Sequence, residues 1–495
     1  LVLSFQTLFS KRTKKFIIAS AKVASKFNRA TMEKVVTIFL LCSVLATGLL
    51  TGCLKKTGTT TNGPAKEITL TFYGLFDNEE IYAPFIQSYE VANPGVTILY
   101  KKFTDPEKYL SLIINELAEG EGPDIFMMHN SWFPQHYKKL APAPDTIVNP
   151  TVFKSAFVDT ASEDLIISDA TGVEKIWGLP LYVDTLALYY NKEHLEEAVP
   201  SRGTPSQTWE GIKNDVFLLN RQDQSFERFA RAGIAMGRSD NILRAFDILE
   251  ALFLQYKIDF YDSTLTKVAF NNNPASVAAM DLYASFGLPS QKNYSWNKYL
   301  ADASSGEKEL TTFASGKLSM LLGYSFTYDD ILNQINILKA NGENAIDPKT
   351  IKIQEIPQVS DPNTSAETGK TVANYFVPVV ARTSQNQEEA WKFLASLVTE
   401  QNLRAYYEST HRPSALRSLI TEQSKNSIYG VFANQVGYAK TIPMADASAY
   451  QEIFLSAIDQ MLGTASAAEV VKSMANQIEA LIPSSGIKPV YVPQT

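Results

Sequence analysis

Between Glu67 and Met128 the chain sets three short extended stretches apart with two helical ones, and this order restricts the fold more than any other feature. Glu67 to Tyr73 alternates, with Ile68, Leu70 and Phe72 against Thr69, Thr71 and Tyr73, which is the period of a strand. After Gly74 a helical spacing carries Ile81, Phe85, Ile86 and Tyr89 until Asn93-Pro94-Gly95 stops it. Val96 to Phe103 reads as a second strand. Tyr109 to Ala118 follows as a helix with Leu110, Ile113, Ile114 and Leu117 on one face, and Pro123 to Met128 as a short buried strand. Strands alternating with helices across short loops predict an α/β fold with a parallel, helix-covered sheet, and such sheets bind ligands at the carboxyl ends of their strands. Here those ends are Tyr73 to Asp77 and His129 to Trp132.

A second feature, Ile176 to Lys192 (IWGLPLYVDTLALYYNK), alternates throughout and predicts one long extended segment with Asp184 in its middle. Gly178 and Pro180 interrupt pairing near its start, so the segment is expected to run from one sheet into another. Thr371 to Val380 reads as a second crossing. Helices are expected from Thr208 as N-cap, over Asn241 to Gln255, Pro274 to Phe286 and Gln387 to Thr399, and finally over Gln451 to Leu462 and Ala467 to Leu481.

With 495 residues the chain exceeds one compact core, and two domains are expected. The formal charge of −7 hides an asymmetry: eight basic residues precede position 53 with only Glu33 against them. A body this acidic is a poor partner for nucleic acid or an anionic membrane surface. Val35 to Leu50 is an apolar run behind Lys34 and a basic stretch, and it ends in Leu50-Thr51-Gly52-Cys53. It falls short of the roughly 20 residues needed to span a bilayer and reads as a cleaved signal over 1–52, with Leu1 to Thr31 either an extended leader or sequence ahead of a start at Met32. The only cysteines are Cys42, inside that run, and Cys53, so no disulfide is expected in the body. The stretch 53–66 is a polar tether rich in Gly and Thr.

Catalytic motifs are missing from the sequence: no G-x-S-x-G, no P-loop, no dinucleotide glycine pattern, and no metal spacing among His129, His136, His194 and His411. No metal or cofactor is expected. Asp77 and Asp184 facing each other could form a glycosidase pair, which keeps an extracellular glycoside-active enzyme open as an alternative, beside a surface adhesin.

Several motifs together resemble the family 1 extracellular solute-binding proteins, the maltose-binding-protein-like components of ABC importers. They are the Gly178-Leu179-Pro180 crossing with Tyr189 to Lys192, Pro123-Asp124-Ile125, Thr208-Trp209-Glu210, the run from Phe313 to Tyr324, Glu388 to Leu394 and His411 to Ser414; Leu50 to Cys53 resembles a bacterial lipobox. The resemblance implies a two-lobed periplasmic-binding-protein-like fold with a hinge of three chain crossings, near Val183, Ala373 and Ser427. Lobe 1 would hold 67–183 plus 374–427, and lobe 2 184–373 plus 428–485. It implies a binding protein without catalysis, lipid-anchored at Cys53 on the extracytoplasmic face. The protein would work as a monomer, take a small solute, with a carbohydrate expected, and serve ABC permease subunits. A sugar site needs flat apolar faces and planar polar groups, and the candidates at strand ends are Phe76, Asp77, Asn130, Trp132, Asp184, Tyr324, Phe326 and Arg412.

Overall fold

The computed structural model describes residues 67–168, 171–222, 229–361 and 369–487. The expected signal segment and tether, with Cys53, lie outside these residues. The expected opening order is present: β1 (Ile68–Leu75), helix Glu79–Ala92, β2 (Val96–Phe103), helix Pro106–Ala118 and β3 (Ile125–His129). β1 pairs in parallel with β2 from Ile68 opposite Val96 and with β3 at Phe72 opposite Ile125. Local chemistry starts the second helix, where the Asp105 side chain accepts from Lys108 N–H and Pro106 occupies the first turn.

β4 (Ile166–Ser168) and β5 (Glu174–Ile176) form a small hairpin. The chain then enters the crossing, which differs from the single extended strand expected. Trp177 to Val183 belongs to no strand, β6 is only Asp184–Thr185, and β7 is Ala187–Asn191. Every residue from Ile176 to Asn191 is buried, so the alternation of residue types marks no solvent face. Gly178 is required by contact: a Cβ there would stand 2.6 Å from Val377 Cγ2.

β8 (Arg221–Gln222), β9 (Phe229–Ile234), β10 (Leu318–Gly323) and β11 (Ile351–Glu355) follow, then β12 (Thr371–Asn374), β13 (Phe376–Val380) and β14 (Ala439–Lys440). β13 joins the opening strands in the order β13-β3-β1-β2 and lies antiparallel to β3. A second sheet has the order β11-β7-β10-β9-β8. Between them β6, β12 and β14 make a narrow sheet, with Ala373 opposite Thr185 and Thr371 opposite Ala439.

The buried apolar side chains form two clusters. One runs from Leu70 to Val183 and Ala373 to Leu419, with Val436 and Ala439 added; the other runs from Leu186 to Val372 and Tyr429 to Ile487, leaving out those two. Among the described residues no helix is long and apolar enough to cross a membrane.

Candidate functional site

A cavity of about 730 Å³ is lined by residues of both clusters and of the narrow sheet. Its aromatic wall comes from the first cluster and centres on Phe376, at the start of β13. His129, Trp132 and Phe76 approach that ring edge-on, at centroid distances of 4.8, 5.6 and 5.6 Å. His129 is still in β3, opposite Phe376, so the polar residues after Met128 do not all leave the sheet as expected; the turn begins at Asn130. Burial pulls the His129 pKa down to about 4 against a bond to Asn374, which keeps the ring neutral at physiological pH. Its Nδ1 lies 2.7 Å from Ser131 Oγ. Trp132, on that turn, is partly buried against the first cluster and lines the cavity.

Phe76 follows β1 with φ of 69°, a conformation that costs a residue with a Cβ. Its N–H donates to Phe103 O at 2.8 Å, the next N–H, of Asp77, donates to Leu75 O at 2.9 Å, and the ring is left 41% exposed at the cavity. Asn130 is buried and bonds the hinge: its Nδ2 donates to Ala373 O at 3.3 Å and its Oδ1 accepts from Tyr375 N–H at 3.4 Å.

Two of the expected contacts stand behind the walls. Asp77 does not line the cavity; its carboxylate accepts from Arg412 Nη1 at 2.7 Å and from Tyr406 OH at 2.8 Å. Tyr324 is fully buried and also off the lining, because its hydroxyl donates to Asp247 Oδ1 at 2.6 Å and draws the ring inward. Arg412 and Phe326 do line the cavity. Asp184 reaches it as well, but its oxygens are occupied, accepting from Ser325 Oγ at 2.7 Å, Ser325 N–H at 3.0 Å and Thr185 N–H at 2.9 Å. Burial raises its pKa to about 6 in spite of these donors. Asp184 therefore ties the narrow sheet to the loop that carries Phe326.

The wall from the second cluster mixes apolar side chains, among them Ile242, Leu243, Phe246 and Met444, with charged ones. Helix Ala245–Gln255 brings Asp247 and Glu250 to the cavity, with Arg244 just before it. The Arg244 guanidinium lies 5.2 Å from the centroids of both Tyr324 and Phe326, whose rings stack. Among the described residues no three His, Cys, Asp or Glu side chains are grouped as metal ligands.

The family model for bacterial extracellular solute-binding proteins matches residues 85–427. The chain belongs to this family. Membership makes it a protein that binds a solute outside the cytoplasm. Curated binding proteins of Brucella abortus and Brucella suis are similar over a shorter stretch, 24% identical over 131 residues, 26% of this chain; the match spans only 30% of those relatives' length. Among solved structures, the sugar-binding protein MalE from Xanthomonas citri is 17% identical with a TM-score of 0.65, over 83% of this chain and 97% of that one. An ABC transporter solute-binding protein of Thermotoga lettingae, bound with α-D-tagatose, is 17% identical with a TM-score of 0.63, over 84% of this chain and 99% of that one. At these identities the likeness establishes the two-lobed fold.

Several lining residues of this solute-binding protein were not foreseen from sequence: Phe376, Arg244, Asp247 and Glu250; His129 belongs to the expected strand end His129 to Trp132 without being one of the named candidates. Glu250 had a signal, being the one charged residue in the run Ile248 to Phe253. Phe376 had none, since its place beside His129 comes from antiparallel pairing of β3 with β13 across the sequence.

Proposed function

We propose that the protein captures a carbohydrate between lobes built on its two hydrophobic clusters and presents it to the permease of an ABC importer, held at the membrane by lipid on Cys53. The observation that carries this reading is the pairing of walls. Trp132, Phe376 and Phe76 offer ring edges and faces on which sugar C–H surfaces pack, while the opposite cluster contributes carboxylates and a guanidinium for hydroxyls. The α-D-tagatose bound to the Thermotoga protein and the sugar-binding name of the Xanthomonas protein agree with it.

The lobes would be 67–183 with 374–427 and 184–373 with 428–485, working as a monomer. A solute touching both stabilises their closed arrangement by its differential affinity, and the permease reads that arrangement. Binding without turnover is supported by Asp77, whose ion pair behind the wall removes it from any carboxylate pair across a glycosidic bond. The test is a thermal-shift panel on the full-length protein with saccharides, amino acids and short peptides. A saccharide should raise Tm in a concentration-dependent way and be recovered intact; stabilisation by peptides alone, or release of a cleaved product, overturns the reading.

A further inference from the structure

One acid in the cavity has no counter-charge. Glu250 is 5% exposed and lines the cavity. Its Oε1 accepts from Ile442 N–H at 3.2 Å, and among the described residues no donor reaches Oε2. The charges that act on it are of its own sign: Asp247, one turn earlier on the same helix, and Asp164. Those two have partners, since Asp164 accepts from Tyr375 OH at 2.8 Å and Thr441 Oγ1 at 2.5 Å, and Asp247 accepts from Tyr324 OH.

The three cations of the lining act elsewhere. Arg412 is paired with Asp77, Arg244 lies on two rings and acts on Glu309 and Asp330, and Lys308 acts on Glu309. A buried carboxylate kept for structure is normally paired or multiply hydrogen-bonded, because an uncompensated one is expensive. Burial and then Asp247 push Glu250 up to about 8, so without a cation beside it the carboxyl keeps a proton, which pairing with a cation would release to solvent.

We propose that the solute supplies the missing charge: it carries a protonated amine whose N–H groups donate to Glu250 and Asp247 while its body packs on the Trp132 and Phe376 wall. The inference rests on the carbohydrate reading for the body of the solute and is independent of it for the cation. The expected class is an amino sugar with a free amine.

The test measures binding of the full-length protein to glucosamine and its β-1,4 dimer, to the N-acetylated form of each, to glucose and cellobiose, and to spermidine as an amine without a sugar. The free amines should bind at least tenfold more tightly than their acetylated and neutral counterparts, the gain expected of a charge-assisted hydrogen bond. Glu250→Gln should abolish that difference, and Asp247→Asn should reduce it. The comparison of charged with acetylated ligand on the unaltered protein needs no variant to fold. Spermidine binding that depends on Glu250, with no saccharide bound, upholds the amine and overturns the carbohydrate reading. Neutral or acetylated sugars bound as tightly as the amines overturn the amine and leave the carbohydrate reading standing, and failure of every amine probe to bind overturns it too.

Discussion

Asp77 and Arg412, 335 positions apart, meet in a 2.7 Å ion pair that locks the turn after β1 to the loop after helix Glu400–Thr410. The carboxylate is 5% exposed, so removing the cation strands a buried charge. Arg412→Ala is expected to cost about 3 kcal/mol in urea unfolding, the lower end for a broken buried pair, because Tyr406 OH still donates to Asp77. Asp77→Asn combined with Arg412→Ala should cost less than the two single changes added together.

Trp132→Ala should weaken solute binding by roughly ten- to a hundredfold, as loss of an aromatic contact at a binding hot spot does. The side chain is only partly buried, so the ligand-free Tm should fall by no more than a few degrees. A large fall without ligand would make the indole a core residue.

Cys53→Ser should leave the protein uncleaved or shed it from the membrane fraction, because the lipobox-like Leu50-Thr51-Gly52-Cys53 makes Cys53 the residue proposed to carry lipid. Unchanged processing and retention in cell fractionation would remove the anchor.

Glu250 also sets a pH dependence. Burial raises its pKa in the folded chain to about 8, above the ordinary value of 4.5, so the native state keeps a proton that the unfolded chain has released. That stabilisation is complete below pH 4.5 and is lost as pH rises through about 8, at on the order of 1 kcal/mol per pH unit. Asp164 and Asp184, raised to about 6, lose theirs lower, and Glu309 near 7. His129, His136 and His194, held near 4, act in the opposite sense up to about pH 6.5, so the fall in the ligand-free protein's urea midpoint should be clear between pH 7 and 8.5. Glu250→Gln should flatten the part above pH 7 and be more stable than the parent at pH 8.5.

How far the sequence could be read follows from what each residue depends on. Strand and helix order is set by local periodicity, so the elements from Ile68 to Ala118 and the last helix, Ala467–Leu481, appear where expected. Ile176 to Asn191 misled because both its faces are buried, and alternation carries meaning only where one face meets water. Placement of Phe76 and Trp132 beside the cavity follows from the rule that loops at strand ends carry ligands. That rule does not say which way a side chain turns. Asp77 turns from the cavity toward Arg412, and Tyr324 toward Asp247, 77 positions away, and neither partner is visible from the neighbouring sequence.

Phe76 offers the sharpest separation of function from stability. Its backbone sits at φ of 69°, pinned by the N–H of Phe76 on Phe103 O and that of Asp77 on Leu75 O, and its ring is 41% exposed beside Phe376. A side chain in this region costs about 1–2 kcal/mol, which glycine avoids. Phe76→Gly loses the edge contact with Phe376, worth about 1 kcal/mol, and gains back the backbone strain, so the ligand-free protein should unfold at nearly the parent's urea midpoint. Phe76→Ala loses the same contact and keeps the strain, so it should be less stable than the glycine variant by about 1 kcal/mol, the reverse of the order seen in helices. Both should weaken solute binding to the same extent, since both remove the ring from the cavity. An alanine variant as stable as the glycine one would mean that the turn relaxes to negative φ. Unchanged binding in both would show that the exposed ring does not touch the solute.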